Sequence, residues 1–223
     1  MEQKKQLLVK AAIVLLIAAS VMNGQAQAWK TEKRANVLFG LSQVVAHGFN
    51  IEGNYISKRL IIDYSHGVSL EFKGNTVTSD LRRQGIAVKM PWTTGFGVGY
   101  RIAEWINIRV EPKIHRFEFF YANEAQTKSN EITAYNTFSL GIGIYGNYRP
   151  FKRKNNFLNG LMLSPSIRFW PTVSSTLKDN KFTYFNKQTS SNEEIKTLDP
   201  GIGFTPIIVN ISVGYSFKIK RQG

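Results

Sequence analysis

Three histidines, His47, His66 and His115, are the first residues to weigh for chemistry in this chain of 223 residues. His66 stands in the run DYSHG with Asp63 and Ser65, the residue types of an acid–histidine–serine relay. Such a relay needs its members on one side of the backbone. The surrounding LIIDYSHGVSLEF alternates apolar with polar residues, the mark of an extended strand whose side chains point to opposite faces in turn. Asp63 and Ser65 then share one face and His66 takes the other, so this strand cannot assemble the relay. His66 reads instead as an outward or interfacial residue, or as the mark of a bulge beside Gly67. His115 reads as a network residue near a strand end, and His47 as a turn residue beside Gly48. No pair of histidines has a metal-ligand spacing, and GFGVGY lies within a strand and leads into no helix, unlike a nucleotide-binding loop. There is no cysteine, which removes thiol chemistry and any disulfide framework. Neither a cofactor nor a catalytic site is expected.

Charge is the more informative feature. Lysine and arginine total 29 against 15 acidic residues. One set of charges alternates with apolar residues inside strand-like runs: Asp63, Glu71, Arg101, Arg109, Glu111, Lys113, Arg149 and Arg168. Both signs occur in this set, so the members can pair if one enclosed space collects them, as buried charges must. A second set is basic only and falls in short turns and at the C-terminus: Lys58, Arg59, Lys152, Arg153, Lys154, Lys220 and Arg221. Clustered basic residues suit an anionic partner.

The first residues restrict which partner. Lys4, Lys5 and Lys10 precede the short apolar run AAIVLLIAASVM, and Ala26-Gln27-Ala28 follows. That is the layout of a secretory signal peptide over residues 1–28, cut after Ala28, leaving one domain over 29–223. The leader carries three lysines and Glu2, so the mature chain has 26 basic and 14 acidic residues, a net of about +12 by difference. An exported basic protein points to lipid headgroups rather than to nucleic acid.

The elements that must position these residues are strands. Period-two alternation marks segments near 47–57, 60–73, 88–102, 105–120, 131–149, 159–175 and 204–219. Connections near 57–59, 103–104 and 150–159 are short, and those near 73–87, 122–130 and 176–203 are long and polar. Short and long links in alternation predict an all-β, closed, up-and-down antiparallel barrel with two unlike ends. An even strand count needs an eighth strand at the start. NVLFGLSQVV, residues 36–45, is its candidate, with a short helix as the competing reading because Leu38, Val44 and Val45 break the alternation.

The direction of the apolar face decides the class. The second face carries Gly95, Gly97, Gly99, Gly141, Gly143, Ser164 and Ser166 beside the charges. Glycine is a poor choice for a strand face open to water, and a good one inside a narrow barrel that side chains must fill. The apolar face carries aliphatic residues with aromatics toward the strand ends: Tyr64, Trp92, Tyr100, Trp105, Tyr148, Phe169, Tyr215 and Phe217. An aliphatic band between aromatic girdles predicts a transmembrane barrel with its oily face toward lipid.

With its signal, its alternating strands and the closing PIIVNISVGYSFKI, the chain resembles the small outer-membrane β-barrel proteins of the porin-like kind common in Bacteroidetes-type bacteria. The resemblance implies that the last strand, with Tyr215 and Phe217, is read by the barrel-assembly machinery. Phe217 is followed by Lys218 to Gly223 rather than ending the chain. The function expected is that of an outer-membrane barrel with a filled lumen, structural or binding through its long loops, in contact with lipopolysaccharide and phospholipid. The basic turns would form a periplasmic rim. Three alternatives stand beside it: a narrow channel for small solutes, a lipid-modifying barrel enzyme, and a secreted soluble binder of lipocalin type.

Overall fold

The structure is a computed structural model that describes residues 32–45, 47–72 and 78–219. The leader assigned to 1–28, and Lys220 and Arg221 of the basic set, lie outside the described residues. The strands are β1 (Lys33–Gly40), β2 (Phe49–Ser57), β3 (Leu60–Phe72), β4 (Ile86–Ala103), β5 (Ile106–Tyr121), β6 (Glu131–Gly146), β7 (Leu161–Phe169), β8 (Thr172–Ser175), β9 (Lys181–Asn186), β10 (Ser191–Lys196) and β11 (Ile207–Lys218). Two short helices, α1 (Ser42–Val45) and α2 (Ser79–Arg83), sit in connections.

Antiparallel pairing runs β5-β4-β3-β2-β1-β11-β7-β6, and β6 pairs back with β5. That closes a barrel of eight strands, because the ninth member of the sheet, β8, only continues the β6 edge. Its stagger follows from the register. From Phe39 one path crosses Ile51, His66, Thr94 and Ile114 to Phe138 on β6. The opposite path crosses Val213 and Leu163 to Tyr148. The two arrivals differ by 148 − 138 = 10 residues. At roughly 3.3 Å per residue and 4.8 Å between strands, that shear tilts the strands by about 40°. Both termini of the barrel lie at one end, here the terminal end, and the long loops lie at the other, the loop end.

Sequence and structure differ in several places. Residues 36–45 hold both competing elements in succession, since β1 ends at Gly40 and one helical turn follows. Leu38, which breaks the apolar alternation, is buried in the lumen while Val37 and Phe39 face out. The link between β6 and β7 occupies 147–160 and is not short. The run near 159–175 breaks at Trp170-Pro171, where proline supplies no N–H to the ladder and β8 returns to pair with β6. Finally, the long connection 176–203 contains the hairpin β9–β10.

The outer wall is apolar around the whole barrel, with Val37, Ile51, Ile62, Val98, Val110, Ile142, Ile167 and Ile211 all exposed. Soluble monomers rarely expose contiguous apolar surface beyond a few hundred Å². On β5 the outward file is Ile106, Ile108, Val110, Pro112 and Ile114, and it gives way to Arg116 and Glu118. That length matches the roughly 9–11 tilted residues needed to cross a bilayer core. No described helix is long and apolar enough to cross a membrane. A charge placed on this wall should be costly. Ile142→Arg is expected to destabilise the barrel by about 2–4 kcal/mol in lipid, measured as a lower urea midpoint in vesicles, against near-neutrality for Arg153→Ala at the rim.

Toward the loop end the rule of facing inverts. Ser69 takes a left-handed φ of 57°, and opposite it the β4–β5 register slips between Lys89 and Thr93. Beyond this irregularity Leu70, Val88 and Met90 point inward and are buried. Glu71, expected in the lumen, instead pairs in register with Lys89, which pairs with Glu118. Phe117 and Phe119 are buried to either side of Glu118, so Glu118 and its neighbours in register belong to the outer face. Together with Arg116 and Asn136, 3.5 Å apart, these residues make a polar collar above the apolar belt.

Candidate functional site: a charged lumen between two closed ends

The polar parity of each strand fills the lumen. Asn50, Glu52 and Asn54 come from β2, Asp63 and Ser65 from β3, and Arg109, Glu111 and Lys113 from β5, all buried. At mid-height the Arg109 guanidinium donates from Nη1 to Glu52 Oε1 at 2.6 Å and to Asp63 Oδ2 at 3.2 Å. Its Nε donates to Asn107 Oδ1 at 2.8 Å, and its Cζ lies over the Tyr145 ring, 4.0 Å from the ring centre. Asn36 donates to Asn54 at 2.6 Å, and Asn54 to Glu52 at 2.9 Å. Tyr145 donates to Glu111, Lys113 donates to Ser65, and Lys113 also sits 3.6 Å from Glu111. Arg168 packs over the rings of Tyr145 and Trp170 at 4.9 and 5.1 Å.

In this layer Arg109, Lys113 and Arg168 face Glu52, Asp63 and Glu111, so the charges balance. Balance matters because a buried charge left without a counter-charge is costly. Small residues make room for it. A side chain at Gly97 would run into Asp63 and Glu111, and one at Gly141 would run into the Trp170 indole.

A second cluster closes the terminal end. Glu32 lies 2.9 Å from Arg34 and 3.7 Å from both Arg101 and Arg149. Glu104 lies 3.4 Å from Arg149 and 3.0 Å from Lys152. Of the expected lumen set, Asp63, Arg109, Glu111, Lys113 and Arg168 therefore form the middle layer, Arg101 and Arg149 the terminal one, and Glu71 neither. Glu52, Arg34, Tyr145 and Trp170 belong to these clusters too. Glu52 was available to the same parity rule, since it alternates between Ile51 and Gly53.

The loop end is closed by an apolar cap. Leu70, Val88, Met90, Phe117, Phe119 and Tyr135 of the barrel wall meet Leu81 of α2 and Tyr184 and Ile195 of the β9–β10 hairpin. Phe182 packs edge-on against Phe119, with ring centres 4.8 Å apart. Polar ties hold the hairpin down: Leu198 N–H donates to Tyr135 Oη at 3.1 Å, and Tyr184 Oη donates to Gln84 Oε1 at 2.9 Å. Burial, with nearby Glu193, pushes the Tyr184 hydroxyl up to about 12, so it stays a donor at neutral pH.

The histidines assemble no relay. His115 is buried and shares a 2.7 Å hydrogen bond with Thr93. His66 lies across from Ile51 and Thr94 on the outer face, turned away from buried Asp63 and Ser65. His47 is exposed in the β1–β2 link. Among the described residues no group of three His, Cys, Asp or Glu is arranged to hold a metal.

Aromatic residues mark the two edges of the belt. Tyr100, Trp105, Tyr148, Tyr215 and Phe217 lie toward the terminal end, and Trp92 and Phe169 toward the loop end. Tyr64 belongs to neither edge. It stands midway along the outward file of β3, opposite Gly53 and Phe96, and hydrogen-bonds Thr94 at 3.0 Å. Lys58, Arg59, Arg153 and Lys154 are exposed at the terminal end, whereas Lys152 is drawn toward Glu104.

Several solved barrels have a similar outline. The Ail attachment invasion locus protein of Yersinia pestis, crystallised with the heparin analogue sucrose octasulfate, is 12% identical with a TM-score of 0.41, covering 84% of this chain and 100% of that one. A major outer membrane protein from Thermus thermophilus is 11% identical with a TM-score of 0.44, covering 83% and 99%. No protein-family model and no curated protein matches the chain. These likenesses are of overall shape, while the lumen and its two ends are defined by this chain's own residues.

Proposed function

We propose that the protein is an integral β-barrel of a bacterial outer membrane that anchors a folded cap outside the bilayer, with a structural or binding role carried by that cap and its loops. The observation that carries this reading is the predominantly apolar wall around the whole barrel, bounded by the Glu71, Lys89 and Glu118 collar and enclosing a charge-balanced lumen. A soluble carrier of lipocalin type would need the opposite facing. In this orientation the terminal end and its basic residues meet the periplasmic leaflet, the cap meets the lipopolysaccharide side, and β11 is the strand offered to the assembly machinery. The test is fractionation of cells followed by gel mobility with and without boiling. Recovery in the outer membrane with a heat-dependent shift is expected, and recovery in the soluble periplasm would end the reading.

The narrow-channel alternative needs a wet path past Arg101, Arg109, Glu111, Arg149 and Arg168. The stacking of Arg109 and Arg168 on Tyr145, and the cap above, argue against one. Purified full-length protein in planar bilayers should therefore give no steady single-channel conductance, and reproducible unitary steps would favour the channel. Unchanged lipid A acylation on overexpression is expected, since no acid–histidine–serine set is assembled around His66.

A further inference from the structure

We propose that the outer wall over β1, β11 and β7 holds one anionic phospholipid, with an acyl chain in an apolar groove and its phosphate among Lys33, Arg153 and Lys154. The proposal rests on the membrane reading above and names a particular lipid seat within it. The groove encloses about 820 Å³ and is lined almost wholly by apolar atoms. Val37, Val213 and Leu163 form its low floor, and Phe39, Phe217 and Phe151 stand around it. Phe151 is the telling wall. It comes from the 147–160 segment rather than from a strand, and turns that segment into a flank of the groove.

The groove leads toward a one-sided electrostatic surface. Lys33 is next below Ala35 and Val37 in the outward file of β1. Arg153 and Lys154 follow closely after Phe151 in the chain and are exposed. Among the described residues of this end the only carboxylates are Glu32 and Glu104, and both are engaged by Arg34, Arg101, Arg149 and Lys152. No acid is left to neutralise the exposed cations, so a negative group that brings its own apolar chain fits both halves of the site. The same charge pattern disfavours a second copy here, because a two-fold pairing across the groove would bring like charges together.

The test is native mass spectrometry of the full chain in mild detergent with added phosphatidylglycerol or phosphatidylcholine. One retained phosphatidylglycerol per barrel is expected, favoured over the zwitterionic lipid by about fivefold or more, the factor for one basic contact at an anionic group. Val213→Trp and, independently, Leu163→Trp should fill the groove and remove the retained lipid. Leu140→Trp, equally lipid-facing but on β6 away from the groove, should keep it. Charge reversal at Lys33, Arg153 and Lys154 together should abolish the preference for phosphatidylglycerol. Equal retention in all variants would mean generic annular lipid and overturn the proposal. So would a two-chain species that Val213→Trp splits. Each variant is first checked for the boiled-versus-unboiled shift alongside the unsubstituted protein, whose loss of that shift would strike the membrane reading itself and not this seat alone.

Discussion

Arg109→Leu should cost about 3–5 kcal/mol of barrel stability, the largest effect expected of any single lumen substitution. Arg109 binds Glu52 and Asp63 at once through hydrogen bonds, and both carboxylates are buried. Removing the guanidinium takes from Glu52 and Asp63 their shared donor and leaves the layer with three buried anions against two cations, which costs more than the pair ever contributed over an apolar filling. Heating series read on gels, or urea titration in vesicles, should show the folded band lost under far milder conditions. Adding Asp63→Asn to Arg109→Leu should restore a good part of the loss, because it returns the layer to two cations, Lys113 and Arg168, against two anions, Glu52 and Glu111. Arg109→Lys should fall between, since an ammonium keeps the charge but cannot serve Glu52, Asp63 and Asn107 together or stack on Tyr145. A wild-type heat stability in Arg109→Leu would mean the lumen is wet enough to solvate its charges, and the channel reading would return.

Phe119→Ala should cost about 3–5 kcal/mol too, but in a different place. Phe119 is fully buried against Tyr135 and Phe182, where the barrel wall meets the β9–β10 hairpin. Its loss should loosen the cap and leave the belt intact. Proteolytic cleavage within 170–206 should then rise by about a hundredfold or more if it follows the open population. The boiled-versus-unboiled shift should persist. If Phe119→Ala abolished the folded band altogether, cap and barrel would be one cooperative unit rather than two apolar regions in two solvents.

That separation is also where the sequence was hardest to read. Alternation placed Asp63, Arg109, Glu111, Lys113 and Arg168 on one face because period two holds without interruption along those stretches. It failed at Glu71 because Ser69 and the slipped register at Lys89 reverse the facing within strands that look continuous. On β5 the odd-numbered file stays inward throughout but changes character, from Arg109, Glu111 and Lys113 to Phe117 and Phe119. That switch in FEFFY is a legible sign of a second apolar environment at the loop end. The β9–β10 hairpin was harder to see, since Ser191 to Lys196 has polar loop composition; it pairs locally with β9, and Ile195 docks on wall residues distant in sequence. Glu52 needed only the parity rule, whereas Arg34 depends on β1, whose pattern Leu38 obscures.

The seam between β1 and β11 has a topological consequence. Ile219 N–H reaches Lys33 O at 3.0 Å, and Arg34 Nη1 bonds Ser216 Oγ at 3.1 Å across it. The ladder thus treats the first and last strands as neighbours like any others, and the wall is a ring whose starting point is an accident of translation order. A gene that tethered the two ends and began instead between β5 and β6 would describe the same ring. Whether such a rearranged chain still enters a membrane would separate what the finished ring requires from what its insertion apparatus demands of a terminal strand.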